Sequence, residues 1–136
     1  MAKKRMFAAD VVGSDAFANL PIRAQLLYFK LGTLPAVDDD GVIANVKLTM
    51  AALGAKNADL EALLDARFLM RCGKDGRLYI FKHWLINNYI RPDRYRESIY
   101  ADELDGLYVK PNGAYTDHDG PGHLPFSERR RRAKRD

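Results

Sequence analysis

The chain has 136 residues and 47% hydrophobic content, enough for one compact domain with a real core plus an extension, which excludes wholesale disorder. The net charge of +4 lies entirely in the last ten residues, Ser127–Asp136, which hold six of the 22 Lys and Arg against two of the 18 Asp and Glu; the body is formally neutral. No apolar run approaches the roughly 18–20 residues of a membrane span, Asp10 and Asp15 interrupt any signal-peptide core, and the single Cys72 excludes an internal disulfide.

These limits imply a protein of a reducing, cytoplasmic compartment. With no partner Cys and no adjacent basic cluster, Cys72 reads as a small hydrophobe on a strand.

In chain order, Ser14 is placed to cap a short helix over Ser14–Ala18. PIRAQLLYFKLG, residues 21–32, is the first long helix, with Pro21 in its first turn and Ile22, Leu26 and Phe29 recurring on one face. Leu27 and Leu31 widen that stripe, and Gly32 followed by Pro35 ends the helix. VDDDGVIAN reads as a solvated acidic turn entering a short strand at Val42–Ala44. A calcium loop fails on spacing: with Gly41 as its glycine, the first ligand would be Ala36 and the last Lys47.

NVKLTMAAL, capped by Asn45, and ADLEALLDARFL then form two amphipathic helices joined at Gly54, a helix-turn-helix pattern. FLMRC, GKDG and RLYIFKHW read as two strands around a turn, with Asp75-Gly76 the hairpin signal. The return strand is expected to continue through Trp84 and Ile86, with Trp84 a core plug beneath it and Asn87 and Asn88 capping a turn. PDRYRESIYADELDGLY is predicted helical, because Tyr100, Leu104 and Leu107 share a face. Asn112-Gly113 marks a turn before AYT, and from Asp117 a loop and a flexible basic tail are expected.

Helix, short strand, helix-turn-helix and hairpin, in that order, predict a mainly helical α+β fold: a winged helix-turn-helix over residues 1–116, its wing the two-stranded hairpin, with residues 117–136 as loop and tail. AKKRMFAADVVGSDAFANLP, DDDGVIAN and above all IFKHWLINNYIRPDRY resemble the N-terminal domain of phage replisome organiser proteins, a DnaD-like winged-helix family; the similarity runs from about Lys3 to Thr116. The resemblance implies initiation of phage DNA replication, by binding origin DNA and recruiting the host helicase or its loader. Family members commonly carry a longer C-terminal region; here a basic tail stands in its place, so a reduced DNA-binding or oligomerising form is expected.

A recognition helix presents its N-terminal residues to the major groove, which here offers Lys56 and Asn57. Asp59, Glu61 and Asp65 on the same helix would meet the phosphate backbone with the wrong sign. The candidate phosphate-binding residues therefore lie elsewhere: Arg71, Lys74 and Arg77 around the wing, Arg91, Arg94 and Arg96 after it, a basic arm of Lys3, Lys4 and Arg5, and a tail of Arg129, Arg130, Arg131, Arg132, Lys134 and Arg135.

A catalytic role finds no nucleophile or acid pair beside His83, and no GxxxxGK(S/T) loop is present. Asp117, His118, Asp119 and His123 occupy a Gly/Pro-rich loop with no scaffold to fix a metal, so no cofactor is expected. Three readings follow: a non-enzymatic DNA-binding replication protein, a self-associating interaction module in which the acidic second helix pairs with Arg91–Arg96 of another copy, and a transcription repressor.

Overall fold

The computed structural model describes residues 4–34 and 36–128; Lys3, Pro35 and the tail from Arg129 lie outside them. Among the described residues the fold is α+β, with six α-helices, one 3-10 turn and two small antiparallel sheets of three strands each. No helix among them is long and apolar enough to cross a membrane.

Two short helices, α1 (Ala9–Val12) and α2 (Asp15–Ala18), lead into α3 (Ile22–Thr33). Ser14 caps α2 as expected, its Oγ accepting from the Phe17 amide at 3.2 Å. The face of α3 that turns inward is only partly the anticipated one: Leu27 and Leu31 lie on it as expected, and Ile22 and Leu26 do not. Ala24, Leu27, Tyr28 and Leu31 are buried, while Ile22 and Leu26 are 76% and 51% exposed. Both sets have helical spacing, so periodicity alone could not choose between them. Aromatic packing decides: Tyr28 lies within 5.2–5.9 Å, centroid to centroid, of Phe7, Phe17, Phe68 and Phe81.

After α3 come β1 (Val42–Ile43), α4 (Val46–Leu53), α5 (Asn57–Asp65), β2 (Leu69–Cys72) and β3 (Leu78–Phe81). Gly54, at φ +73°, makes the corner between α4 and α5, and the amide of Ala55 reaches back to the Met50 carbonyl at 2.9 Å. Asn45 stands before α4 in the left-handed region, φ 56°, and its side chain caps nothing, contrary to expectation. Val46, Met50, Leu60 and Leu63 are buried, and Leu53 and Leu64 are half-buried.

The hairpin between β2 and β3 forms as expected, pairing Leu69 with Phe81 and Cys72 with Leu78 around the turn at 73–77. The first sheet is larger than the anticipated pair, because β1 joins the other edge of β3 and gives the strand order β1-β3-β2. All four residues of β3, the central strand, are buried. Cys72 sits half-buried on β2, and burial pushes its thiol up to about 12.

The return strand ends at Phe81, earlier than expected. Trp84 to Asn87 form the one-turn helix α6 (Trp84–Asn87), whose Asn87 and Asn88 amides bond the carbonyls of His83 and Trp84. Trp84 is a core plug, 1% exposed, and lies against Gly41.

The helix expected across residues 92–108 does not form; only a 3-10 turn at Ala101–Glu103 appears. Leu104 and Leu107 are still buried. Helical bonding fails because the amides of Arg96 and Ser98 are taken by the carboxylates of Asp39 and Asp40, at 2.9 and 3.3 Å.

The second sheet has the order β5-β4-β6, from β4 (Tyr108–Val109), β5 (Tyr115–Thr116) and β6 (Leu124–Pro125). Its first turn uses Asn112-Gly113 as anticipated, with Gly113 at φ +93°. The segment from Asp117, expected as loop, carries β6 and buries Phe126 under Tyr115 as far as the described chain extends. Tyr115 ties this sheet to the first, its amide donating to the Lys82 carbonyl at 2.9 Å.

Candidate nucleic-acid interface and an arginine-lined groove

The acidic triplet at 38–40 was expected to be a solvated turn. It is instead a buried hub, because backbone amides and hydroxyls converge on its three carboxylates. Asp40 is 0% exposed. Its two oxygens lie 2.9 and 2.8 Å from the Tyr95 hydroxyl, and its carbonyl accepts from the Tyr115 hydroxyl at 2.8 Å. Asp38 closes the turn by accepting from the amides of Asp40 and Val42 at 3.0 and 2.9 Å. Burial raises the pKa of Asp38, against the lowering effect of hydrogen bonds from Ser98, Val42 and Asp40. Asp39 accepts the Arg96 amide, and its carbonyl accepts from Trp84 Nε1 at 3.0 Å.

The hub also draws in part of the expected basic arm. Arg5 is not displayed to solvent: its side chain is only 6% exposed, stacks over Trp84 at 5.1 Å and bonds the Val37 carbonyl at 3.2 Å. Its guanidinium lies 3.6 Å from Asp39. Asn87 and Asn88, expected to cap a turn, clamp this N-terminal segment by accepting the amides of Ala8 and Met6, each at 2.8 Å. Asn87 Nδ2 further donates to the Tyr28 hydroxyl at 2.8 Å, deep in the core, where burial pushes the phenol up to about 12. Lys4 remains exposed.

After the corner between α4 and α5, Lys56 and Asn57 are exposed at the start of α5. Asn57 Oδ1 is engaged by Lys47 Nζ at 2.6 Å. Asp59 does not face outward as the sequence suggested. It is 7% exposed, accepts the Lys56 amide at 3.0 Å and lies 3.4 Å from Arg23. One of the three unfavourable charges is thus spent inside the fold. Glu61 is exposed but sits 3.7 Å from Arg71, which also bonds the Tyr79 hydroxyl and covers its ring. Lys74 and Arg77 are exposed at the hairpin turn, with Arg77 paired to Asp75 at 3.0 Å. The tail residues Arg129, Arg130, Arg131 and Arg132 lie outside the described residues.

Arg91, Arg94 and Arg96 come together elsewhere. They line a groove of about 1060 Å³ between the N-terminal segment, the acidic turn and the irregular chain at 88–100. Arg91 pairs with Asp93 at 3.0 Å. Among the described residues, the side chains of Lys4, Arg94 and Arg96 enter no ion pair. Tyr89 and Ile99, 74% and 88% exposed, add apolar surface to the same groove. Clustering of arginines and tyrosine is legible in KHWLINNYIRPDRY; that the segment folds around a carboxylate hub more than 50 residues away is not.

His83 packs on Phe68 with centroids 5.5 Å apart, and its Nδ1 is buried without a hydrogen-bond partner. Burial first, then the charges of Lys82 and Lys110, lower its pKa to about 4, so it is neutral at pH 7. In the loop after β5, His123 Nδ1 lies 2.7 Å from the His118 carbonyl and His118 lies 3.3 Å from Asp117. No group of three or more such side chains among the described residues is placed to hold a metal.

Comparison with protein-family models, curated proteins and solved structures returns no match to this chain.

Proposed function

We propose that this protein is a non-enzymatic DNA-binding protein of phage DNA replication, acting at origin duplexes in the bacterial cytoplasm through a winged-helix domain. The observation that carries the reading is the order α3, β1, α4, α5, β2, β3 with strands arranged β1-β3-β2. In that frame α5 is the recognition helix, with Lys56 and Asn57 at its start, and the β2–β3 turn is a wing carrying Lys74 and Arg77. The burial of Asp59 supports this reading, because it removes a carboxylate from the face that would approach phosphate. The replication role rests on the resemblance of the opening segment, the DDDGVIAN turn and KHWLINNYIRPDRY to the replisome organisers, and a host helicase or loader is the partner it implies.

A salt series on origin and random duplexes tests the proposal. The affinity should fall as salt rises, and Lys74→Ala with Arg77→Ala should flatten the log–log slope by about 0.9 for each phosphate no longer neutralised. Binding indifferent to salt, or unaltered in that variant and in Lys56→Ala, rejects it. A preference for one operator with none for origin DNA would instead favour a repressor.

Self-association is the second reading. Ile22 and Leu26, one turn apart on the outer side of α3, leave apolar surface exposed. Light scattering over a concentration series decides it, and a strict monomer removes it.

A further inference from the structure

The geometry points to a second nucleic-acid site, distinct from the helix-turn-helix: the groove beside the acidic hub takes single-stranded DNA, with phosphates on Arg94, Arg96 and Lys4 and a base on Tyr89. Counted formally, the groove is lined by five cations and four carboxylates, a surplus of one positive charge. The carboxylates, however, are already engaged. Asp38 and Asp39 accept backbone amides, Asp39 also faces Arg5, and Asp93 is paired with Arg91. Glu97 has an interaction of its own. With Arg5 and Arg91 each facing an aspartate, the exposed cations of the groove that enter no ion pair among the described residues are Lys4, Arg94 and Arg96.

The hub also fixes where those cations sit. Tyr95 is anchored on Asp40, and the Arg96 amide on Asp39, so the chain bearing Arg94 and Arg96 is tied to the body at consecutive residues. In the same groove Tyr89 is 74% exposed, a large aromatic ring at its surface. Cations tracking a backbone beside an exposed aromatic are the elements of single-strand binding.

Asn88 lies in the wall of the same groove. It is 6% exposed and lines the groove, yet its Nδ2 has no hydrogen-bond partner. Its Oδ1 is committed to the Met6 amide at 2.8 Å, which holds the amide nitrogen as a donor without an acceptor. A duplex would not present its bases to Tyr89, which is why a single strand is the occupant.

The site is separable from the proposed duplex-binding surface. On the full chain, anisotropy with a labelled short oligothymidylate should show binding that Arg94→Ala with Arg96→Ala weakens at least tenfold. The same pair should flatten the salt slope by about 1.4, at about 0.7 per single-strand phosphate neutralised. Tyr89→Ala should weaken binding about tenfold, within the range for loss of one stacked base, and photocrosslinking of a 5-iodouracil oligonucleotide should map to Tyr89. Duplex binding should respond to Lys74 and Arg77 and not to Tyr89, so either surface can fail alone. Unaltered oligonucleotide affinity in the Arg94/Arg96 and Tyr89 variants overturns the assignment. So does crosslinking confined to the tail, or binding of an acidic peptide by the groove with no binding of the oligonucleotide.

Discussion

The hydroxyl of Tyr95 lies 2.9 and 2.8 Å from the two carboxylate oxygens of Asp40, a residue with no solvent exposure. One phenol thereby joins the basic segment after the hairpin to the turn before β1, across 55 residues of chain. Removing a donor from a fully buried polar group costs about 1–3 kcal/mol. Tyr95→Phe should therefore lower unfolding stability by about 2 kcal/mol, measured by urea denaturation, and should loosen the segment at 91–98. Hydrogen exchange at the Arg96 and Ser98 amides reads that loosening directly, and unchanged protection would count against the hub as an anchor.

Gly41 is the companion constraint on the same turn. A Cβ there would meet Trp84 Cγ at 2.5 Å, and the residue sits at φ +88°. Gly54 shares the positive φ, +73°, but a Cβ there would meet nothing within 4 Å. Gly54→Ala should cost about 1–2 kcal/mol, the left-handed strain alone. Gly41→Ala adds overpacking of about 1–3 kcal/mol and should be the more destabilising by at least that margin. Equal losses in melting experiments would mean that Trp84 moves aside.

Asp59 links the two halves of the helix-turn-helix support, capping α5 and facing Arg23 of α3. Asp59→Ala should cost about 1 kcal/mol through removal of the cap. Arg23→Ala should cost less than half of that, because its side chain is 59% exposed and the pair is screened. A double-mutant cycle checks the ranking, and a larger loss from Arg23 reverses it.

His83 makes stability depend on pH with a definite sign. Its folded pKa, about 4, lies below the ordinary 6.5, so the unfolded chain takes up the proton first. Its favourable contribution is complete above pH 6.5 and is lost progressively as pH falls towards 4. His83→Leu should flatten that part of the melting-temperature profile and leave the alkaline side unaltered. A variant whose acid limb parallels the parent between those values contradicts the assignment.

Local chemistry made several elements legible. Asp75-Gly76 between apolar runs announced the β2–β3 hairpin, Ser14 announced the cap of α2, and Gly54 announced the corner between α4 and α5. Each depends on residues close in the chain, where turn preference and capping act without help from the rest of the fold. The inward residues Val46 and Met50 of α4 and Leu60 and Leu63 of α5 were likewise readable from their helical spacing.

The candidate site was legible only as a set of arginines and aromatics. Its shape depends on interactions between residues 5, 38–40, 84 and 95–98, which no local pattern announces. An Asp-Asp-Asp-Gly run in isolation favours water, and it is buried here because donors from distant segments replace that water. The same donors were those a helix across 92–108 would have needed, so the hub and that helix exclude each other.

The amino-acid sequence by itself determined the α+β composition, the hairpin, the corner between α4 and α5 and the confinement of net charge to the tail, since these follow from composition and near-neighbour preferences. Tertiary structure decided which stripe of α3 turned inward, that Arg5 and Asp59 were buried rather than displayed, and that Arg94 and Arg96 reach solvent without a carboxylate partner among the described residues. Those outcomes depend on which of several competing partners each polar group and apolar face meets, and only the folded chain settles that competition.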